Sequence, residues 1–466
     1  MIRSLVVAVA VFPSLATAAS IAPSATIGGV DAGPVTKDVV SIFHNPAAIA
    51  HLKGFDFVLD VQAADVRNEV IATRNDGIDP NTGEPYALSV AELVVPVFFL
   101  GGTYEVIEDK LVAGIGITPH FMGGGDYTGV ESNPPPYTGH QRYAGIDSKV
   151  ISIAAMPTLA YRLTEALSVG AGFSYNVDIF DALQASDPIG TEGLGFGGDA
   201  AYSYDVYLSA QGTGSHTTWS AGALYEIEEG MEIGLSYVAP STWSVAGDVS
   251  VDAPDFLGGV TAPGVFTAEM PLPAITKLGI AAQFTEKLRV GWVLEYWAWG
   301  DCCSGQDGDL YINVLSEDGD PIGQADGITI EVDEDIYSPR RVESAYNFAT
   351  HMGYDYDAKT WLGARVAYNH HGIPDFAVTA TNLDYDTIGF GVGARRYLSD
   401  NLVLGLSYTY YQVHGREITN SARNAPEDSP DYVDERFSPS MPFSASGNGL
   451  YQAYNQVFGV RVAADF

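Results

Sequence analysis

Basic residues are scarce in this chain. Lysine and arginine number 22 against 58 aspartates and glutamates in 466 residues, a formal net charge of −36. A surface of that sign argues against a nucleic-acid partner, which needs a basic face to neutralise phosphates. Cysteine is nearly absent too: Cys302 and Cys303 are the only two, adjacent in a polar loop. They cannot build a disulfide framework, and a vicinal disulfide or two free thiols suit them better than a metal site. Long hydrophobic runs are missing. The longest candidate, Leu93–Leu100, contains Pro96 and stops at Gly101-Gly102, far short of the about twenty apolar residues that a membrane helix requires. No Gly-x-Ser-x-Gly elbow or other recognisable triad wording occurs, so catalysis by a nucleophile and its base has no support in the sequence. Nothing implies an ATP or redox cofactor. The length suggests two or three soluble domains, yet no linker separates independent units.

What is present is alternation. One hairpin runs Asn347–Tyr356, turns at Asp357–Lys359 and returns through Leu362–Tyr368. Phe348, Met352, Tyr354, Tyr356, Leu362, Val366 and Tyr368 share one strand face; Asn347, His351, Asp355, Gly363 and Arg365 share the other. Six such hairpins occur, with short turns near Ile107–Lys110, Leu163–Ala166, Ile227–Met231, Thr285–Lys287, Asp357–Lys359 and Ser399–Asn401. The connections between hairpins are long, among them Phe121–Asp147, Phe180–His216, Val249–Met270, Asp301–Val342, His371–Tyr385 and Gly415–Leu450. With a first strand near Gly54–Arg67 and a terminal strand, this makes about fourteen strands, an even number. Closure of such a sheet leaves no unpaired backbone edge in lipid. A polar inner face explains how 46% hydrophobic residues coexist with a mean hydropathy of only +0.06. Tyr296, Trp297, Trp299, Tyr354, Tyr356, Tyr408, Tyr410 and Tyr411 gather at strand ends, where aromatic girdles are expected.

The chain ends agree. Arg3, an apolar stretch Leu5–Phe12 and Ala16-Thr17-Ala18 read as a secretory signal peptide over residues 1–19. The last strand places Phe458, Val460, Val462, Ala464 and Phe466 on one face. A terminal Phe466 suggests a targeting strand for the barrel-assembly machinery. Residues 20–53 lack alternation and are long enough to fill a lumen that would otherwise be an open channel. The expected fold is therefore all-β: a transmembrane antiparallel β-barrel of about 14 strands over residues 54–466, with an N-terminal hatch (plug) inside the lumen. A monomer in outer-membrane lipid is expected.

At Asn45-Pro46-Ala47, just ahead of the first strand, the chain resembles the FadL/OmpP1/TodX family of outer-membrane transporters. The strand count with a terminal Phe, Leu272-Pro273 before the eighth strand and Leu159-Ala-Tyr-Arg-Leu163 before a turn carry the same resemblance. It implies passive transport of long-chain fatty acids or neutral hydrophobic small molecules. It also implies a hatch that includes Ile42, Phe43, Asn45, Pro46 and Ala47, and a sideways exit at a kinked third strand, here Leu111–Phe121 with Gly114, Gly116 and Pro119. No basic set suited to a fatty-acid carboxylate stands out in the sequence; Arg340-Arg341 is the nearest. A general diffusion porin or structural barrel is the alternative. The acidic stretch Asp301–Asp335 matches no EF-hand spacing and reads as solvated surface. His370-His371 would need further ligands to hold a metal.

Overall fold

The computed structural model describes residues 5–6, 27–72, 88–127, 142, 145–186, 205–252, 261–302, 310–316, 324–325, 328–331, 335–338, 342–380, 382–419 and 447–466. The expected signal peptide, Cys303 and Arg340-Arg341 lie outside these residues, as does most of the acidic stretch; Cys302 is placed only in its backbone.

Fourteen strands form the barrel wall: β1 (Phe55–Ala72), β2 (Ser89–Ile107), β3 (Leu111–Asp126), β4 (Asp147–Arg162), β5 (Leu167–Ser186), β6 (Val206–Glu228), β7 (Met231–Val238), β8 (Ile275–Thr285), β9 (Leu288–Trp297), β10 (Ala345–Asp357), β11 (Thr360–Asn369), β12 (Thr387–Ser399), β13 (Leu402–Val413) and β14 (Gly449–Asp465). Each pairs antiparallel with its sequence neighbour, and β14 returns to β1 with Phe57 opposite Ala464, so the barrel is closed. The seam is finished by the last residue: Phe466 and Phe55 exchange backbone hydrogen bonds of 2.8 and 3.0 Å. Gly54 makes the approach possible, because at its φ of +63° a Cβ would meet the Phe466 carbonyl at 2.4 Å.

The six short turns stand at one end, and the register slips by one residue ahead of several of them, as at Glu105/Ile107 and Asp355/Asp357. The other end carries more structure than alternation suggested. β6 is long and β7 short; beyond β7 a hairpin of Ser241–Asp252 and Thr261–Leu272 covers the upper edge of β6 and continues into Leu310–Ser316. An edge this long would otherwise leave its backbone unpaired.

Burial is inverted relative to a soluble protein. On β5, Phe173, Tyr175, Val177 and Ile179 are exposed, whereas Ser174, Asn176, Asp178 and Phe180 are buried. An apolar outer face and a largely polar inner one are what a lipid-embedded barrel needs. The aromatic expectation requires one correction. Tyr296, Tyr354, Tyr356 and Tyr410 do face outward, but Trp297, Trp299 and Tyr411 are buried inside. Consecutive strand residues point to opposite faces, so neighbouring aromatics cannot all belong to a girdle.

Candidate functional site

The segment ahead of β1 lies in the lumen. It contains one helical turn, α1 (Ser41–His44), and a 3-10 turn, Pro46–His51, and both are almost wholly buried. Wall glycines make the space. A Cβ at Gly170 on β5 would lie 2.4 Å from the Pro46 carbonyl carbon, and one at Gly222 on β6 only 2.0 Å from Asn45 Oδ1. Gly234 and Gly279 accommodate Pro34 from β7 and β8. Asn45 joins the pieces: its Oδ1 accepts from Ala47 N (3.1 Å), capping the 3-10 turn, and its Nδ2 donates to Pro34 O (2.7 Å) and Ala223 O on β6 (3.1 Å).

Charge binds the segment as well. Arg395 on β12 grips Asp31 through both of its terminal nitrogens, donates to Gly28 O (3.1 Å) and lies over the Trp361 ring at 4.4 Å. Arg461 on β14 pairs with Asp38, and Asp60 on β1 accepts from Gly28 N at 2.8 Å. Lys37 and Arg289 share Glu232 of β7. Burial alone would raise the Asp38 carboxyl, but the Arg461 guanidinium, together with Arg395 and the Val40 N–H, outweighs it and holds the group below its ordinary value. Burial, then the nearby Lys277 charge, pushes the His44 imidazole down to about 3. His44 Nε2 lies 2.9 Å from Ile27 O, so the neutral ring carries its proton there.

A small cavity adjoins the segment, between Pro34, His44, Val293, Ala349, Ala367, Lys277 and Arg365. Lys277 Nζ sits 3.4 Å from Glu295 and 4.5 Å from the centre of the Phe43 ring. Arg365 Nη1 donates to Ala32 O (2.9 Å), while its buried Nε has no partner among the described residues. Arg340-Arg341, the nearest basic candidate in the sequence, lies outside the described residues; among those described, the cations near the segment stand on inward strand faces.

Above the segment the lumen turns apolar. Phe121, Val150, Phe180, Leu208, Trp243, Phe266, Met270 and Trp299 form one buried cluster with residues of the β11–β12 loop: Ile373, Val378, Leu383 and Tyr385. The loop is fastened across the mouth. Tyr127 donates to Ala380 O (3.2 Å), Tyr385 to Gln452 O (3.2 Å), and Arg416 to Asp375 (2.6 Å) and Asp384 O (2.9 Å).

The residues singled out from sequence fall into two groups. Ile42, Asn45, Pro46 and Ala47 are buried, and Phe43 lies against Lys277. Gly114 and Gly116 of β3 face inward and receive Ile42: added Cβ atoms would stand 2.9 and 3.0 Å from its side chain. The β3 irregularity lies higher, between Pro119 and Phe121, where the register with β4 shifts and His120 Nδ1 meets Asn176 Oδ1 of β5 at 3.1 Å. The β2–β3 ladder ends at Leu100 opposite Ile117, although β2 extends to Ser89 and β3 to Asp126. Thr118 Oγ1 donates to Phe98 O (2.6 Å) just beyond that point. Phe466 is at the barrel seam, away from the lumen.

A closed barrel with a lipid-facing apolar exterior, a lumen occupied by its own N-terminal segment and an apolar mouth defines an outer-membrane channel for hydrophobic compounds. The chain belongs to the outer membrane protein transport protein family (OMPP1/FadL/TodX), whose family model matches residues 10–455. That family consists of transporters rather than enzymes, and its place is the Gram-negative outer membrane. Among solved structures, a Pseudomonas aeruginosa FadL homologue is 17% identical over 95% of this chain and 98% of its own, with a TM-score of 0.71. The P. putida toluene transporter TodX is 16% identical over 95% and 97%, TM-score 0.63. The Ralstonia pickettii toluene transporter TbuX is 15% identical over 95% and 98%, TM-score 0.62. At these identities the likeness is one of fold. No curated protein sequence matches this chain.

Proposed function

We propose that this chain passively moves long-chain fatty acids and neutral hydrophobic molecules of similar bulk from the cell exterior to the outer leaflet or periplasm. The observation that carries the reading is the continuous apolar cluster from the mouth down to Phe121, beside the end of the β2–β3 ladder. Burial in such a surface yields roughly 25 cal/mol per Å² of apolar area, enough to draw a long hydrocarbon from water without an energy source. Residues 20–53 act as the hatch; the small cavity at Lys277 and Arg365, beneath the apolar mouth, receives the polar head of a ligand; sideways release occurs between β2 and β3 above Leu100 and Ile117. Arg365 supports acceptance of a carboxylate, since a buried guanidinium with an unused Nε–H gains from an anion. The terminal strand ending in Phe466 is the recognition element for assembly, and one chain suffices because its own strands close the barrel.

The reading is tested by uptake of labelled oleate and of a labelled neutral hydrocarbon into cells lacking their own transporter, with the native chain and with Arg365→Met. Uptake of both by the native chain, with loss confined to oleate in the variant, supports it. Uptake of neither contradicts it; hydrocarbon uptake alone removes the fatty acid from the substrate class.

A further inference from the structure

The ends of the β11–β12 loop converge on a second polar site, built from residues that do not line the lumen cavity. Asn369 pairs with Thr387 in the last rung of the ladder, so the residues that leave it, His370, His371 and Asp386, emerge side by side. His370 Nδ1 lies 3.1 Å and His371 Nδ1 2.7 Å from the same carboxylate oxygen, Asp386 Oδ1. The two imidazole centres are 4.7 Å apart. One ligand atom from each of the three side chains lies within 4.8 Å of the others. We propose that His370, His371 and Asp386 bind a divalent transition-metal ion of the Zn²⁺, Ni²⁺ or Cu²⁺ class.

The fit rests on geometry and donor chemistry. Ligands about 2.0–2.2 Å from one tetrahedral ion stand roughly 3.3–3.6 Å from each other. To reach that spacing the 3.1 Å His370 contact widens by roughly 0.2–0.5 Å and the 2.7 Å His371 contact by roughly 0.6–0.9 Å once an ion replaces the shared protons. Two imidazoles and one carboxylate favour a borderline transition ion over Ca²⁺ or Mg²⁺, which prefer all-oxygen shells. The site is supported from behind. His371 N donates to Asp386 Oδ1 at 2.9 Å, the Tyr368 hydroxyl hydrogen-bonds Asp386, and the Tyr346 ring lies 4.8 Å from His370. Such outer contacts orient first ligands and raise affinity. Each of the three side chains is about one-third accessible, so water completes the shell and the ion arrives from outside. A chain of net charge −36 concentrates cations at its surface.

An ion here ties the end of β11 to the start of β12 at the neck of the loop that crosses the mouth. Because it binds the closed neck and not the opened one, it stabilises the loop by mass action.

The test is Zn²⁺ titration of the purified full-length barrel in detergent by calorimetry, with Asp386→Asn and His370→Gln as variants and Cu²⁺ as a spectroscopic probe. Heat-modifiable electrophoretic mobility establishes that each variant is folded. His370→Gln leaves the His371–Asp386 contact in place, so it remains informative if Asp386→Asn does not fold. The expected result is one site weakened about 10–100-fold or more by either substitution, two imidazole nitrogens in the Cu²⁺ spectrum, and no competition from millimolar Mg²⁺. No saturable Zn²⁺ site on the native barrel, or a site unaffected by the substitution in a folded variant, overturns the proposal.

Discussion

Asn45 does at residue scale what the segment as a whole does for the channel: it joins Pro34, the 3-10 turn and the β6 wall through three hydrogen bonds. Asn45→Ala leaves buried carbonyl partners unsatisfied, about 1–3 kcal/mol for each group so exposed. The expected outcome is a barrel that still folds, as heat-modifiable mobility reports, but conducts small ions in planar bilayers. Gly222→Ala reaches the same state from the wall side, since its methyl would occupy the place of Asn45 Oδ1; equal ion conductance in native chain and variant would contradict it. His44 supplies a pH dependence. Its imidazole is neutral down to about pH 3 in the packed segment, against an ordinary value of 6.5. Between those values a released segment binds a proton that the packed one does not, so the hold is full above pH 6.5 and weakens as pH falls, by about 1.4 kcal/mol per unit. Ion leak should therefore rise on acidification from pH 6.5, and rise less in His44→Gln. The weight of Asn45-Pro46-Ala47 was legible in the sequence from its position before β1. The glycines that receive it were not, because alternation tells that a strand residue faces inward but not what it meets there.

At the scale of elements, the barrel is a set of hairpins whose inward cations hold a separate segment. Arg395 and Arg461 come from β12 and β14, and their partners Asp31 and Asp38 from the segment. Arg461→Gln leaves Asp38 buried without its counter-charge, a loss of about 3–5 kcal/mol. Adding Asp38→Asn removes the orphaned charge and should recover most of the hold, so the double variant leaks less than the single one. A double variant as leaky as Arg461→Gln would mean that the pair is not what binds the segment there. The strands themselves were readable from period-2 alternation, down to the inward His351 and Arg365 opposite the outward Phe348 and Met352. The Ser241–Asp252 and Thr261–Leu272 hairpin was not: much of it falls in the connection expected over Val249–Met270, and it is needed only where β6 outruns β7. The basic set is hidden in the sequence for a related reason: Lys277, Arg365, Arg395 and Arg461 are scattered, one per strand, and only closure of the barrel gathers them.

For the whole molecule, the uneven charge balance acquires a spatial meaning. Few cations are present, and several of them face the N-terminal segment or the cavity beside it, where Arg395, Arg461 and Lys37 hold carboxylates in place. The apolar surface is divided likewise, one part toward lipid and the other in the mouth. On the proposed reading, a channel built this way is expected to admit hydrophobic molecules and refuse small polar ones, with the occupant of its lumen making the difference. The most direct measurement is uptake by cells lacking their own transporter, expressing either the native chain or one without residues 20–53, offered labelled oleate and a small polar dye side by side. Oleate uptake without dye through the native chain, and dye passage once residues 20–53 are removed, is the expected result. Dye passage through the native chain with no oleate uptake contradicts it, and would make the protein a diffusion porin.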